Sequence, residues 1–115
     1  YAEVGQDSKS WGNYYNSSFT YYTNTSKSTA TKSANSRTRI PSGAYEGANA
    51  NNVFDLAGNV WDWTLESDIL ETGTCRKHRG GSYDDFLGNP AASNLYSSPY
   101  AGSDSVGLRC ALYVK

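Results

Sequence analysis

Where apolar positions in this chain form a pattern, the pattern is mostly alternation. In "GLRCALYVK", Leu108, Cys110, Leu112 and Val114 alternate with Arg109, Ala111, Tyr113 and Lys115, which predicts a half-buried final strand. "SFTYYT" predicts a short strand among polar residues. "CRKHRGGSY" predicts a strand running into a glycine pair. Only "TLESDILETGT" has a mildly helical look, closed by Gly73. Residues 1–39 otherwise read as irregular, with no 3.6-residue period. Their Ser and Thr content suits a disordered tract, and their repeated aromatics suit a loop packed on something. "IPSGAYEGANANN" carries Pro41, Gly43 and Gly47 and reads as turns. Residues 84–107 are loop-like, broken by Gly88, Pro90, Pro99, Gly102 and Gly107. The expectation is a few short strands holding long ordered loops, a scaffold used more for binding than for a purely structural role.

One stretch departs from this polar background. "NNVFDLAGNVWDW", residues 51–63, places Trp61 and Trp63 beside Asp55 and Asp62, with Gly58 and Asn59 between. If extended, the segment puts both tryptophans on one side. Both are expected to be largely buried, each removing ~150–250 Å² from water and anchoring long loops.

Composition narrows the options. The 115 residues fit one domain, 1–115, and only 37% are hydrophobic and 18% charged. Tyr occurs ten times against three Phe and no Met. Tyrosines supply contact area with a polar tip, on binding surfaces or in a small, wet core. The net charge is −1, the pI is about 5.7, and the only basic cluster is Arg76, Lys77, His78 and Arg79. No nucleic-acid footprint is therefore expected. No apolar run approaches the ~20 residues that span a membrane. The chain shows no signal peptide and starts at Tyr1 in mid-pattern, so it reads as a fragment or a processed piece. Cys75 and Cys110 lack zinc-site spacing and are either two separate thiols or one disulfide.

Four ordered blocks carry a family resemblance: "WGN" at 11–13, "NNVFDLAGNVWDW", "RGGSY" at 79–83 and "GLRC" at 107–110. Together they resemble the formylglycine-generating enzyme (sulfatase-modifying factor) family. That family shows a GNVWEW turn, an RGGSW strand and a GFRC-like final strand. The resemblance implies an α+β, C-type-lectin-like fold, of which this chain would be the C-terminal part, with the upstream part preceding Tyr1. It also implies that the turn binds calcium through Asp55, the Gly58 and Val60 carbonyls, and Asp62. Mixed side-chain and backbone oxygens suit a hard cation. The residues alone also allow Asp55 and Asn59 to cap the turn while Asp62 is solvated. Family members often have Glu where Asp62 stands.

Catalytic members of the family use two cysteines. The matching positions here are Asp85 and Pro90, and neither side chain can act as a thiolate nucleophile or a copper ligand. Cys110 matches a non-catalytic cysteine of the final strand. Related oxygenases hold iron with several histidines, and this chain has one, His78. Ser82 has no recognisable triad, and Asp84 and Asp85, being adjacent, point apart on an extended chain. No catalytic residue is therefore expected.

From Arg79 to Val114 there is no Lys, Glu, Gln, Met or Trp. The residues present are those reachable when a codon keeps a pyrimidine in its third place. Some phage and bacterial proteins of this lectin-like fold carry a C-terminal region diversified by a retroelement, and "SYDDFLGNPAASNLYSSPYAGSDS" falls in the same place. The residues alone fit equally a polar loop of skewed composition. Tyr, Ser, Gly, Asn and Asp are also paratope residues. The expected binding face comprises Tyr83, Asp84, Asp85, Phe86, Leu87, Asn89, Asn94, Tyr96, Tyr100 and Asp104. The expected function is a non-catalytic display domain binding a protein or glycan, outside the cell, on its surface or on a phage virion. An altered enzyme of the family and a structural adhesin or tail decoration are the alternatives.

Overall fold

The computed structural model describes residues 12–50, 52–71, 73–86, 94–97 and 102–110. These residues form eight strands and one 3-10 turn, Glu46–Ala48, with no α-helix among them. The α+β expectation thus gains no helical part here. Strands β1 (Phe19–Tyr22) and β2 (Thr29–Lys32) form an antiparallel hairpin. The short strands β3 (Asn49–Ala50) and β4 (Val53–Phe54) form another. The main sheet contains β5 (Trp61–Leu70), β6 (Gly73–Arg79), β7 (Asn94–Ser97) and β8 (Val106–Gly107), in the order β7-β6-β5-β8. Strands β5 and β8 run parallel, with Trp61 opposite Val106 and Asp62 opposite Gly107.

Two sequence expectations are corrected. The helical-looking segment is the β5–β6 hairpin, and Gly73, at φ +117, lies at its turn rather than capping a helix. Leu65 and Ile69 share a helical spacing, but they also share one face of a strand. They are 94% and 83% exposed, so no core contact enforced the helical reading. Antiparallel pairing with β6 decided the outcome over local preference. Between the Trp63–His78 and Ser67–Arg76 pairs the register slips. Thr64 bridges the irregularity, donating its hydroxyl to the Lys77 carbonyl and accepting the Glu66 N–H. The predicted final strand also fails over residues 108–110, which are irregular. Among the described residues only Val106 and Gly107 pair there, and residues 111–115 lie outside them.

The core is small and unusually polar. Its buried apolar side chains include Tyr14, Ile40, Ala44, Ala48, Ala57, Trp61, Cys75 and Tyr83. Asn13, Ser17, Lys32, Asp55, Asn59, His78 and Ser82 are buried with them. Trp61 is 4% exposed, but Trp63 is only half-buried, against the expectation that both would be largely buried. The imidazole of His78 meets both tryptophans edge-on, at centroid distances of 5.0 and 5.3 Å.

Candidate functional site

The sequence blocks that stood out converge at the turn before β5. Gly58 bridges to Asn13 in parallel, and the Asn59 N–H donates to the Asn13 carbonyl at 2.7 Å. Gly58 has φ +73, and a Cβ there would stand 2.7 Å from Asn13 backbone atoms, so only glycine fits. The Gly58 N–H reaches the Gly80 carbonyl at 2.8 Å, and the Tyr83 N–H reaches the Asn59 carbonyl at 2.9 Å. The Asn59 amide then works as a backbone surrogate. Its Oδ1 accepts from the Ile40 N–H and Asn13 Nδ2, both at 3.1 Å, and its Nδ2 donates to the Ile40 carbonyl at 3.0 Å. Tyr14 closes the knot by donating its hydroxyl to the Gly80 carbonyl at 3.1 Å. Backbone groups that regular strands would have paired are satisfied here by these contacts.

Lys32, which the sequence did not single out, secures the same region. Its Nζ donates to the Tyr14 carbonyl at 2.7 Å and the Ser17 carbonyl at 3.0 Å. Burial holds its pKa below the ordinary lysine value.

The oxygens expected to hold calcium are differently employed. Asp55, Val60 and Asp62 line one hollow of about 280 Å³ with Ser42 and Arg109, whereas Gly58 is outside its lining. The Asp55 Oδ2 accepts from the Ser42 hydroxyl at 2.9 Å and the Gly43 N–H at 2.8 Å. Arg109 donates its Nε to the Asp62 Oδ2 and an Nη2 to the Asp55 carbonyl, both at 2.9 Å. Calcium takes about six to eight oxygens and is favoured by several acidic ligands. Two carboxylates, each with one oxygen already engaged, and a guanidinium bonded to one of them and to the Asp55 carbonyl do not fit that demand. Among the described residues, no three His, Cys, Asp or Glu side chains gather as a metal-binding group.

Beyond the glycine pair, a second turn holds the residues expected at a binding face. Asp85, at the position of the family's first catalytic cysteine, is half-buried and locks the turn. Its Oδ2 accepts from the Ser82 N–H at 2.6 Å and the Ser82 hydroxyl at 3.0 Å. Asp84 is exposed and pairs with Arg37. Phe86 is 66% exposed and stacks on Tyr15 with centroids 5.4 Å apart. The Arg37 guanidinium lies 5.7 Å from the same Tyr15 ring, and the Tyr15 N–H reaches the Asp85 carbonyl at 3.0 Å. Tyr15 and Arg37 come from the first forty residues, and nothing in their local sequence marked them.

Tyr83 departs from the expected exposed face, because it is buried. Burial raises its pKa, as does the hydrogen bond to Asp104. Asp104 is exposed, and its carbonyl also accepts from Arg39 at 3.0 Å, so it tethers loops. Asn94 and Tyr96 lie in β7, opposite Arg79 and Lys77. Leu87, Asn89, Pro90 and Tyr100 lie outside the described residues. His78 is buried beneath this region. Its Nδ1 has no hydrogen-bond partner among the described residues, and burial lowers its pKa despite the opposing charge of Asp85. Cys75 is buried and Cys110 exposed, and both are free thiols.

Comparison with known proteins places the chain in a family. The sulfatase-modifying factor enzyme 1-like domain family matches residues 1–114. The inactive C-alpha-formylglycine-generating enzyme 2 of Bos taurus is 31% identical over 77 residues, covering 62% of this chain and 26% of that protein. The protein of the same name from Mus musculus is also 31% identical over 77 residues, covering 62% of this chain and 25% of its own length. The chain thus spans about a quarter of the length of these curated relatives. No solved structure matches it significantly.

Proposed function

Because the chain belongs to the sulfatase-modifying factor enzyme family, we propose that it is a non-catalytic member whose surface around Phe86 binds a ligand. The observation that carries this reading is the exposed Phe86 stacked on Tyr15. A large apolar ring left in water, yet held in one orientation by a second ring and a locked turn, has little structural reason. It has the character of a preformed anchor, with Asp84 and Arg37 as a polar rim.

The side chain at Asp85 supports the loss of chemistry. A carboxylate that accepts two hydrogen bonds from Ser82 maintains a turn and offers no thiolate. The relatives named inactive are in keeping with this. The ligand we envisage is a protein or glycan on a target surface, met outside the cell or on a virion. The skewed composition of residues 79–114 suits a diversified display loop.

Two assays test the reading together. The purified chain, given copper, dioxygen and a thiol reductant to supply the remaining two electrons, should leave a cysteine-containing peptide unoxidised. On a panel of immobilised glycans and surface proteins it should show selective binding that Phe86→Ala abolishes. Aldehyde formation on the peptide would return the chain to the enzymes. Selective binding that survives Phe86→Ala would move the site elsewhere.

A further inference from the structure

We infer that Arg109 is the resident cation of the acidic turn, holding it closed without a metal ion. The turn from Asp55 to Asp62 brings two carboxylates to one hollow. The guanidinium enters that hollow and spans the turn. One nitrogen takes the Asp62 carboxylate at its far end, and another takes the Asp55 carbonyl at its start, each at 2.9 Å. A bound ion would make the same kind of link, from side-chain oxygen to backbone oxygen. A planar guanidinium with several fixed donors can make it, and it stays charged at any working pH.

Burial gives the contact weight. The Arg109 side chain is 33% exposed and that of Asp62 is 21% exposed, so salt screens the pair less than a surface pair. Electrostatics offers a second cation less than the two aspartates alone would. With Arg109 in place the hollow's formal charge falls from −2 to −1, and a divalent ion would enter against the guanidinium's repulsion. Connectivity completes the case. Arg109 lies two residues beyond β8, whose Gly107 pairs with Asp62, so the arginine reaches the hollow from a strand already fixed beside it. The link therefore ties the end of the main sheet to the turn that organises the core. A domain closed in this way keeps its fold in calcium-poor surroundings.

Thermal melts and terbium luminescence test this. The wild-type melting temperature should be the same with chelator, with added calcium and with neither. Terbium, which reports calcium sites through emission sensitised by a nearby tryptophan such as Trp61, should give no saturable signal. Arg109→Met should lower the melting temperature by roughly 8–15 °C, the scale of losing charged hydrogen bonds in a domain this size. Arg109→Lys should recover part of that loss, because an ammonium keeps the charge but not the fork. A wild-type melting temperature that falls with chelator and recovers with calcium would overturn the inference. So would saturable terbium emission from the wild type, or an Arg109→Met protein that melts with the wild type. If Arg109→Met does not fold, the wild-type chelator and terbium measurements decide alone.

Discussion

Replacing Asn59 with alanine should cost far more than its modest size suggests. The Asn59 amide makes both hydrogen bonds of the Ile40 backbone and one from Asn13. Alanine removes all three. Asn13 Nδ2 keeps a second acceptor, the Thr38 carbonyl at 2.7 Å. Ile40 is buried, and its N–H and carbonyl lose these partners inside the protein. Each orphaned group costs about 1–3 kcal/mol. Asn59 also sits at φ +66, where alanine pays about 1 kcal/mol that asparagine largely avoids. The sum is about 3–7 kcal/mol, against about 5–15 kcal/mol for the whole stability of a typical domain. Asn59→Gly separates the two contributions. It loses the same hydrogen bonds but accepts the left-handed backbone, so it should be more stable than Asn59→Ala by about 0.5–1 kcal/mol. That order reverses the usual ranking of glycine and alanine. Urea unfolding followed by tryptophan fluorescence measures both differences. An Asn59→Ala protein within about 1 kcal/mol of the wild type would refute the reasoning, because losses that small belong to surface positions.

Two further outcomes follow from the core. Trp61→Ala should cost about 3–5 kcal/mol, seen as a shifted denaturation midpoint, and near-native stability would contradict its role as a plug. His78 makes stability depend on pH. Its folded pKa lies below the ordinary 6.5, so the unfolded chain takes up the proton first. The stability it confers is complete above about pH 6.5 and is lost as pH falls from there through the lowered folded value. Urea midpoints measured down this range should fall for the wild type and fall less for His78→Gln; equal slopes would place the acid sensitivity elsewhere.

Much of the fold was legible where local chemistry decides it. Phe19–Tyr22 is a strand because its aromatic and β-branched residues favour one, and the "CRKHR" part of β6 was read as a strand running into the glycine pair. The sequence did not say why "AGNVW" carries a glycine, and the structure supplies the reason, the Asn13 backbone it approaches. The β5–β6 hairpin was misread because Leu65 and Ile69 satisfy two periodicities and contact too little core to settle between them. The proposed binding face was legible only in part. Phe86 and Asp84 lie in the loop that composition singled out, but Tyr15 and Arg37 reach it from residues far away in sequence. Tyr83 was placed outside because tyrosine suits surfaces, and the Asp104 hydrogen bond is what allows its hydroxyl to be buried. The resemblance pointed to a cation at the turn, but pattern alone did not show that Arg109 would bond to Asp62 and to the Asp55 carbonyl there.

The account stands most directly on the affinity of Phe86→Ala for the ligand that the binding panel selects. Phe86 is mostly exposed, so its removal should leave the melting temperature unchanged. If it anchors the ligand, the variant should bind at least about thirtyfold more weakly, the equivalent of about 2 kcal/mol at an interface hot spot. Side-by-side titration calorimetry of the two proteins measures this. Loss of affinity with an intact fold is the result predicted here; equal affinity would contradict the assignment of this face to binding.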